Sequence, residues 1–222
     1  MENIEPARLV ILIGSPRSGT TWLQSMIGSH PDCATPQKTD LFQLYIKPLL
    51  KAWDSQLEWR DESIGKEFRR AKGLPLTITE SEFIGQLRSV VDFTVESVHS
   101  LKPGAKIVVE KSPSHSLCVP EILRVVPNTT FIHIIRDGRA VAASLVAAGK
   151  DGWGKRWAPT TVSLAAWLWK NRLFLLVMLL MRPADTTRCV MKHYRGLRVP
   201  SNFSEFTVVV QLKLERVNVQ RS

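Results

Sequence analysis

LVILIGSPRSGTTWLQSM, residues Leu9–Met26, is the stretch on which the fold turns. Leu9–Ile13 is apolar and rich in β-branched residues, the pattern of a buried strand. Gly14 closes it, Ser15-Pro16-Arg17-Ser18-Gly19 makes a short loop, and a helix begins near Thr20-Thr21-Trp22-Leu23. Strand, glycine-bounded loop and helix N-terminus together form a cradle for a phosphate-like anion. The first backbone N–H groups of the helix point into the loop, and its dipole favours negative charge there. The glycine spacing matches the nucleotide P-loop, G-x-x-x-x-G-K-[ST], but Thr20 stands where the lysine belongs. That substitution argues against an ordinary NTPase or kinase and leaves Arg17 as the cation of the loop.

Later segments repeat the strand-then-loop pattern. Ala105–Glu110 reads as a second buried strand, running into Glu110-Lys111-Ser112-Pro113-Ser114-His115. Thr130–Ile135 reads as a third, running into Arg136-Asp137-Gly138-Arg139, with Asp137 placed to cap the helix that follows. In open parallel α/β sheets, functional groups gather at the carboxyl ends of the strands, which makes Lys111 and His115 candidates for chemistry. His115 is read evenly as a base or a structural residue, Glu110 as an ion-pairing one, and His133 as a core histidine. A Walker-B reading of Thr130–Asp137 fails because Arg136 precedes the acid and the loop lysine is also missing.

PRSGTTWL resembles the 5′-phosphosulfate loop of sulfotransferases that use 3′-phosphoadenosine 5′-phosphosulfate (PAPS). EKSPSH resembles the EKTP or EKSP segment of bacterial and heparan-type members. RDGRAVAASL resembles the 3′-phosphate segment, with eight residues between Arg136 and Ser144. The resemblance implies an α/β, three-layer P-loop-type fold with a central parallel sheet flanked by helices. It implies PAPS as co-substrate with no metal, held by Ser15, Pro16, Arg17, Ser18, Gly19, Thr20, Thr21, Trp22, Arg136 and Ser144. Beside Lys111 and His115, the catalytic candidates by placement, it implies an acid from the Asp32–Leu41 segment as general base. Family members usually carry a glutamate base there; this chain has Gln37-Lys38-Thr39-Asp40, so Asp40 is the nearest acid. The implied activity is sulfuryl transfer to a hydroxyl or amine of a small-molecule or glycan acceptor. A donor-binding homologue with little turnover and a P-loop kinase or NTPase are the alternatives.

A chain of 222 residues accommodates one substantial domain. The match runs over residues 1–172 as a PAPS-binding domain, with 173–222 a divergent or incomplete segment in which Val208–Leu214 could form a strand. Net charge +10 with pI near 9.9 suits an anionic ligand; nucleic-acid-binding signatures are absent from the sequence. Cys33, Cys118 and Cys189 show no paired spacing, which favours a reducing, cytoplasmic setting. The apolar run Leu173–Met181 is too short to span a bilayer, so no membrane association is expected. Helices are expected over Phe42–Trp53 (disturbed by Pro48), from a Thr79-Glu80-Ser81-Glu82 capping box through Val98 with Phe83, Leu87, Val90, Val91, Thr94 and Val98 on one apolar face, and over Thr161–Arg172 with Leu164, Ala165, Trp167 and Leu168 as core.

Overall fold

Alternation along the first strand decides how the layers assemble. In this computed structural model, which describes residues 7–64, 73–180, 187–194 and 208–216, β1 spans Arg8–Gly14. Successive side chains of a strand point to opposite faces. Ile11 and Ile13 therefore enter one apolar cluster, and Val10 and Leu12 enter another. On the second face lies α1 (Thr20–Gly28), which contributes Leu23, with Trp22 and Ile27 alongside. On the first lie α2 (Lys47–Ile64), α3 (Glu80–Ser100) and α4 (Val119–Val125), contributing Leu50, Trp53, Phe83, Leu87, Val91 and Ile122. Trp53 stacks on Phe83 with ring centroids 4.4 Å apart. Helix, sheet, helix is the three-layer arrangement the sequence implies.

The sheet is completed by β2 (Cys33–Ala34), β3 (Ile107–Lys111), β4 (Thr130–Ile135), β5 (Thr187–Tyr194) and β6 (Val208–Arg216). The strand order is β2-β3-β1-β4-β6-β5. β2, β3, β1 and β4 run parallel, with Leu12 opposite Lys111 and Gly14 opposite Ile134. β6 joins β4 antiparallel, and β5 joins β6 antiparallel. The Val/Leu alternation signalled β6, whereas β5 had no sequence reading. Gly14 is required by the register: a Cβ there would stand 2.8–2.9 Å from Ile134 of β4 and from Thr20.

Three local expectations change on folding. Pro48, which has no N–H, does not break the second helix. It follows a π-helical turn, Phe42–Ile46, in which the Lys47 N–H reaches the Phe42 carbonyl five residues back. In α3 the capping box forms as read: Glu82 N–H donates to Thr79 Oγ1, and Thr79 N–H donates to Glu82 Oε2. Val90, expected on its apolar face, is nevertheless exposed, because the buried line runs through Phe83, Leu87, Val91 and Val98. The helix expected over Thr161–Arg172 continues as α6, Val162–Leu180. Ala165 is buried, but Leu164 and Trp167 are exposed. The line facing the protein instead passes through Ala165, half-buried Trp169 and half-buried Arg172, the i, i+4, i+7 positions of one face.

Candidate active site

The loop between β1 and α1 is built to receive an anion. α1 has Gly19 as its N-cap at φ 91°, and no side chain caps its first turn. Its leading amides are thus left for another acceptor. Arg17 is held at φ 70°, an uncommon backbone for a residue with a Cβ. Ser15, Ser18 and Thr20 are buried, and Ser18 N–H donates to the Ser15 carbonyl across the turn (3.1 Å). Such strain at a tight loop is characteristic of ligand sites.

From the β4 side, Arg136 and Ser144 reach this loop. Arg136 follows directly on β4, and Asp137 caps α5 (Gly138–Lys150), accepting from the Arg139 and Ala140 amides. Ser144 lies two turns along that helix. Arg17 Nε donates to Ser144 Oγ (2.9 Å), and Arg136 Nη1 donates to the Arg17 carbonyl (3.2 Å). The Arg136 carbonyl in turn accepts from Trp169 Nε1 of α6 (3.2 Å). Residues 127 positions apart in sequence are thereby in hydrogen-bond contact.

From the β3 side comes Lys111. Its Nζ donates to Thr21 Oγ1 (3.2 Å), so a cation from the neighbouring strand stands beside the helix start where the P-loop lysine is missing. Burial pushes the Lys111 ammonium below its ordinary pKa. Glu110 and Asp40 oppose that shift and Lys38 adds to it, so these groups share one field.

Beyond Lys111, a buried polar network ties the Asp32–Leu41 segment to β3. Glu110 Oε1 accepts from Thr39 Oγ1 (2.6 Å) and Ser112 Oγ (3.1 Å). Glu110 Oε2 stands 2.6 Å from His115 Nδ1, an ion-pair distance, with both side chains almost wholly buried. His115 is fully enclosed, edge-on to Phe42 at 5.2 Å. Asp40 is at φ 51° and lies at the rim, its carboxylate accepting from Ser114 Oγ (2.8 Å) and pairing with Lys38 (2.8 Å). Burial tends to raise the Asp40 carboxyl, but the bonds from Lys38 and Ser114 outweigh it and hold the pKa below the usual value.

Arg172 was not anticipated. It reaches from α6 to the Pro113 carbonyl and donates to Ser116 Oγ (2.9 Å), bracing the turn Pro113–Leu117 that carries Ser114 and His115. A small cavity beneath the loop is lined by Ser15, Ser18, His133, Trp169 and Arg172. The signal for Arg172 was an arginine on the line of α6 that faces the protein, in a helix rich in leucine. A larger groove of about 630 Å³, lined by Arg8, Asp92, His99 and Thr129 among others, lies at the opposite end of β1 and is remote from this chemistry. Among the described residues, no group of three His, Cys, Asp or Glu is placed to hold a metal, and no helix is long and apolar enough to cross a membrane.

A Caenorhabditis briggsae protein assigned to the protein-tyrosine sulfotransferases is 29% identical over 139 residues, covering 63% of this chain and 43% of that protein. Nodulation protein NoeE of Sinorhizobium fredii is 27% identical over 177 residues, covering 74% of this chain and 38% of that protein. The chain thus spans about two fifths of the length of these relatives. Among solved structures, the sulfotransferase domain of the Synechococcus PCC 7002 olefin synthase aligns over 81% of this chain and 63% of that one, with TM-score 0.48 and 16% identity. The profile of the sulfotransferase family matches residues 10–196. With that match spanning most of its length, the chain belongs to the sulfotransferase family.

Proposed function

We propose that this protein transfers a sulfuryl group from PAPS to a hydroxyl or amine. The observation that carries the reading is the meeting of Arg17, Arg136 and Ser144 at an uncapped helix start, with Lys111 arriving from the other side. One anion site would suit many phosphorylated ligands. Two, one at the α1 amides and one at Arg136–Ser144, suit a nucleotide with separate 5′ and 3′ anions. Arginine fits the second because its planar fork binds phosphate in a bidentate manner.

In this reading, Ser15, Pro16, Arg17, Ser18, Gly19, Thr20, Thr21 and Trp22 surround the 5′ end of the donor. The acceptor approaches from the Asp40 side. Its oxygen or nitrogen forms the new bond to sulfur, the bond from sulfur to the 5′-phosphate oxygen breaks, and that oxygen keeps the electron pair. Lys111, Arg17 and the loop amides stabilise the growing negative charge, and their fixed positions spare reorganisation. Asp40 takes the acceptor proton. Its lowered pKa keeps it ionised but makes it a weak base. Glu110 and His115 act beneath it, fixing the segment that carries Asp40. A second reading, a donor-binding homologue with slow turnover, is favoured by the same observation: both Asp40 oxygens are already engaged, by Ser114 and Lys38. A cytoplasmic setting and a small-molecule or glycan acceptor belong to the proposal and rest on the sequence.

Replacing Arg136 tests the two-anion site. Arg136→Ala should weaken 3′,5′-phosphoadenosine about 10-fold or more, consistent with losing hydrogen bonds to a charged group. Adenosine 5′-phosphosulfate, which lacks the 3′-phosphate, should bind the variant nearly as well as the parent. Equal losses for both ligands would refute the clamp.

A further inference from the structure

A small residue in the inner line of α6 sets how that helix lies along α5. Ala165 is buried among Val141, Ala142 and Leu145 of α5, with Trp169 packed beside them. One turn further along α6, the Trp169 ring reaches the first residue of α5. A Cβ on Gly138 would stand 2.9 Å from Trp169 Cε3, so any side chain there would force the indole away. The two helices therefore run antiparallel, and Trp169 comes to lie over the β4–α5 junction.

Phenylalanine would fill most of that space, but the indole brings a donor. Trp169 Nε1 donates to the Arg136 carbonyl (3.2 Å), the kind of partner a half-buried indole N–H takes. That carbonyl lies between two regular elements. β4 pairs with its neighbours only as far as Ile135, and α5 begins at Gly138. Arg136 belongs to neither. Its guanidinium reaches the Arg17 carbonyl (3.2 Å), and its backbone is tied to α6 through Trp169. A planar fork that binds phosphate with both arms must be held to within about 0.5 Å, which requires its backbone to be fixed.

We propose that Trp169 is a positioning residue for nucleotide binding: its indole N–H fixes the Arg136 backbone so that the guanidinium meets the 3′-anion of the donor. This rests on the donor reading above. In this role Trp169 touches no part of the nucleotide and acts only through Arg136. Trp167, two positions earlier on the outer side of α6, is 56% exposed and makes the natural control.

The test is calorimetric titration of 3′,5′-phosphoadenosine and of adenosine 5′-phosphosulfate, which lacks the 3′-phosphate, into the parent and its variants. Trp169→Phe removes the N–H. Replacing Trp169 by 3-benzothienylalanine, through stop-codon suppression, removes it while keeping the shape of the indole and its packing on Gly138. Far-UV circular dichroism checks folding. Both replacements should weaken 3′,5′-phosphoadenosine about 3–10-fold, the range for one hydrogen bond. Adenosine 5′-phosphosulfate should stay within about 2-fold of the parent. In an Arg136→Ala background the benzothienyl replacement should cost 3′,5′-phosphoadenosine nothing further, since the two changes act on one contact. Trp167→Phe should change neither ligand. An unchanged 3′,5′-phosphoadenosine affinity in the benzothienyl variant would overturn the proposal. So would equal losses for both ligands, a loss that persists without the Arg136 side chain, or a loss in Trp167→Phe as large as in Trp169→Phe. A parent that fails to bind 3′,5′-phosphoadenosine, or an Arg136→Ala variant that loses both ligands equally, would instead refute the donor reading itself.

Discussion

Removing the Glu110 carboxylate should unfasten the acceptor side of the site from the sheet while leaving the donor side in place. Glu110 is 3% exposed and holds Thr39, Ser112 and His115 at 2.6, 3.1 and 2.6 Å. Removing one partner of a buried pair costs about 3–5 kcal/mol, because the other is left without compensation. The two hydroxyls can rotate toward other acceptors, so their bonds do not add in full. Glu110→Ala is thus expected to lose about 3–5 kcal/mol, a large part of the 5–15 kcal/mol typical of a domain. Urea unfolding followed by circular dichroism at pH 7 measures it, with the slope checked for two-state behaviour. The companion variants His115→Ala and Glu110→Ala/His115→Ala complete a cycle. The double variant should cost at least about 1 kcal/mol less than the sum of the singles, since removing both members leaves no orphan. Donor affinity should fall little, because Arg136 and Ser144 lie beyond β1 on the β4 side. A single-variant loss below about 1 kcal/mol, or strict additivity, would refute the network as the element that fixes the Asp40 segment.

Two further outcomes are expected. Lys111→Ala should lower kcat about 10²–10³-fold with the fold retained, as for loss of one preorganised donor at a developing oxyanion; a loss confined to KM would contradict that role. Burial lowers His133 from 6.5 to about 4. The unfolded chain takes up this proton first as pH falls, so the stability tied to neutral His133 is complete above about pH 6.5 and is lost as pH falls toward 4. The loss totals about 3 kcal/mol. His133→Leu should flatten that part of the stability–pH curve, and an unchanged slope would show that other groups set it.

The parallel part of the sheet was legible because its strands are short apolar runs ended by glycine or charge, as at Ile13-Gly14 and Ile135-Arg136. Arg17, Arg136 and Ser144 were expected from the resemblance and Lys111 from its place at a strand end, and the fold brings Arg17, Arg136 and Ser144 into contact, with Lys111 beside the helix start. What escaped was set by tertiary contact. Nothing local distinguishes buried Ala165 from exposed Leu164, since only the rotation of α6 against α5 decides which enters the core. Thr39, Ser112 and Ser114 are ordinary loop residues until Glu110 and Asp40 are brought to them. His115 follows a strand end, and the ring of Phe42, from a π-turn that periodicity does not reveal, packs edge-on against it.

The central claim is that the β1–α1 loop and the Arg136–Ser144 pair bind one nucleotide with anions at both its 3′ and 5′ ends. Calorimetric titration of 3′,5′-phosphoadenosine against ATP with Mg²⁺ tests it most directly. The account predicts saturable one-to-one binding of the bisphosphate, at least about 10-fold tighter than ATP–Mg²⁺, a gap of about 1.4 kcal/mol. Preference for ATP–Mg²⁺, or binding of neither, would contradict it.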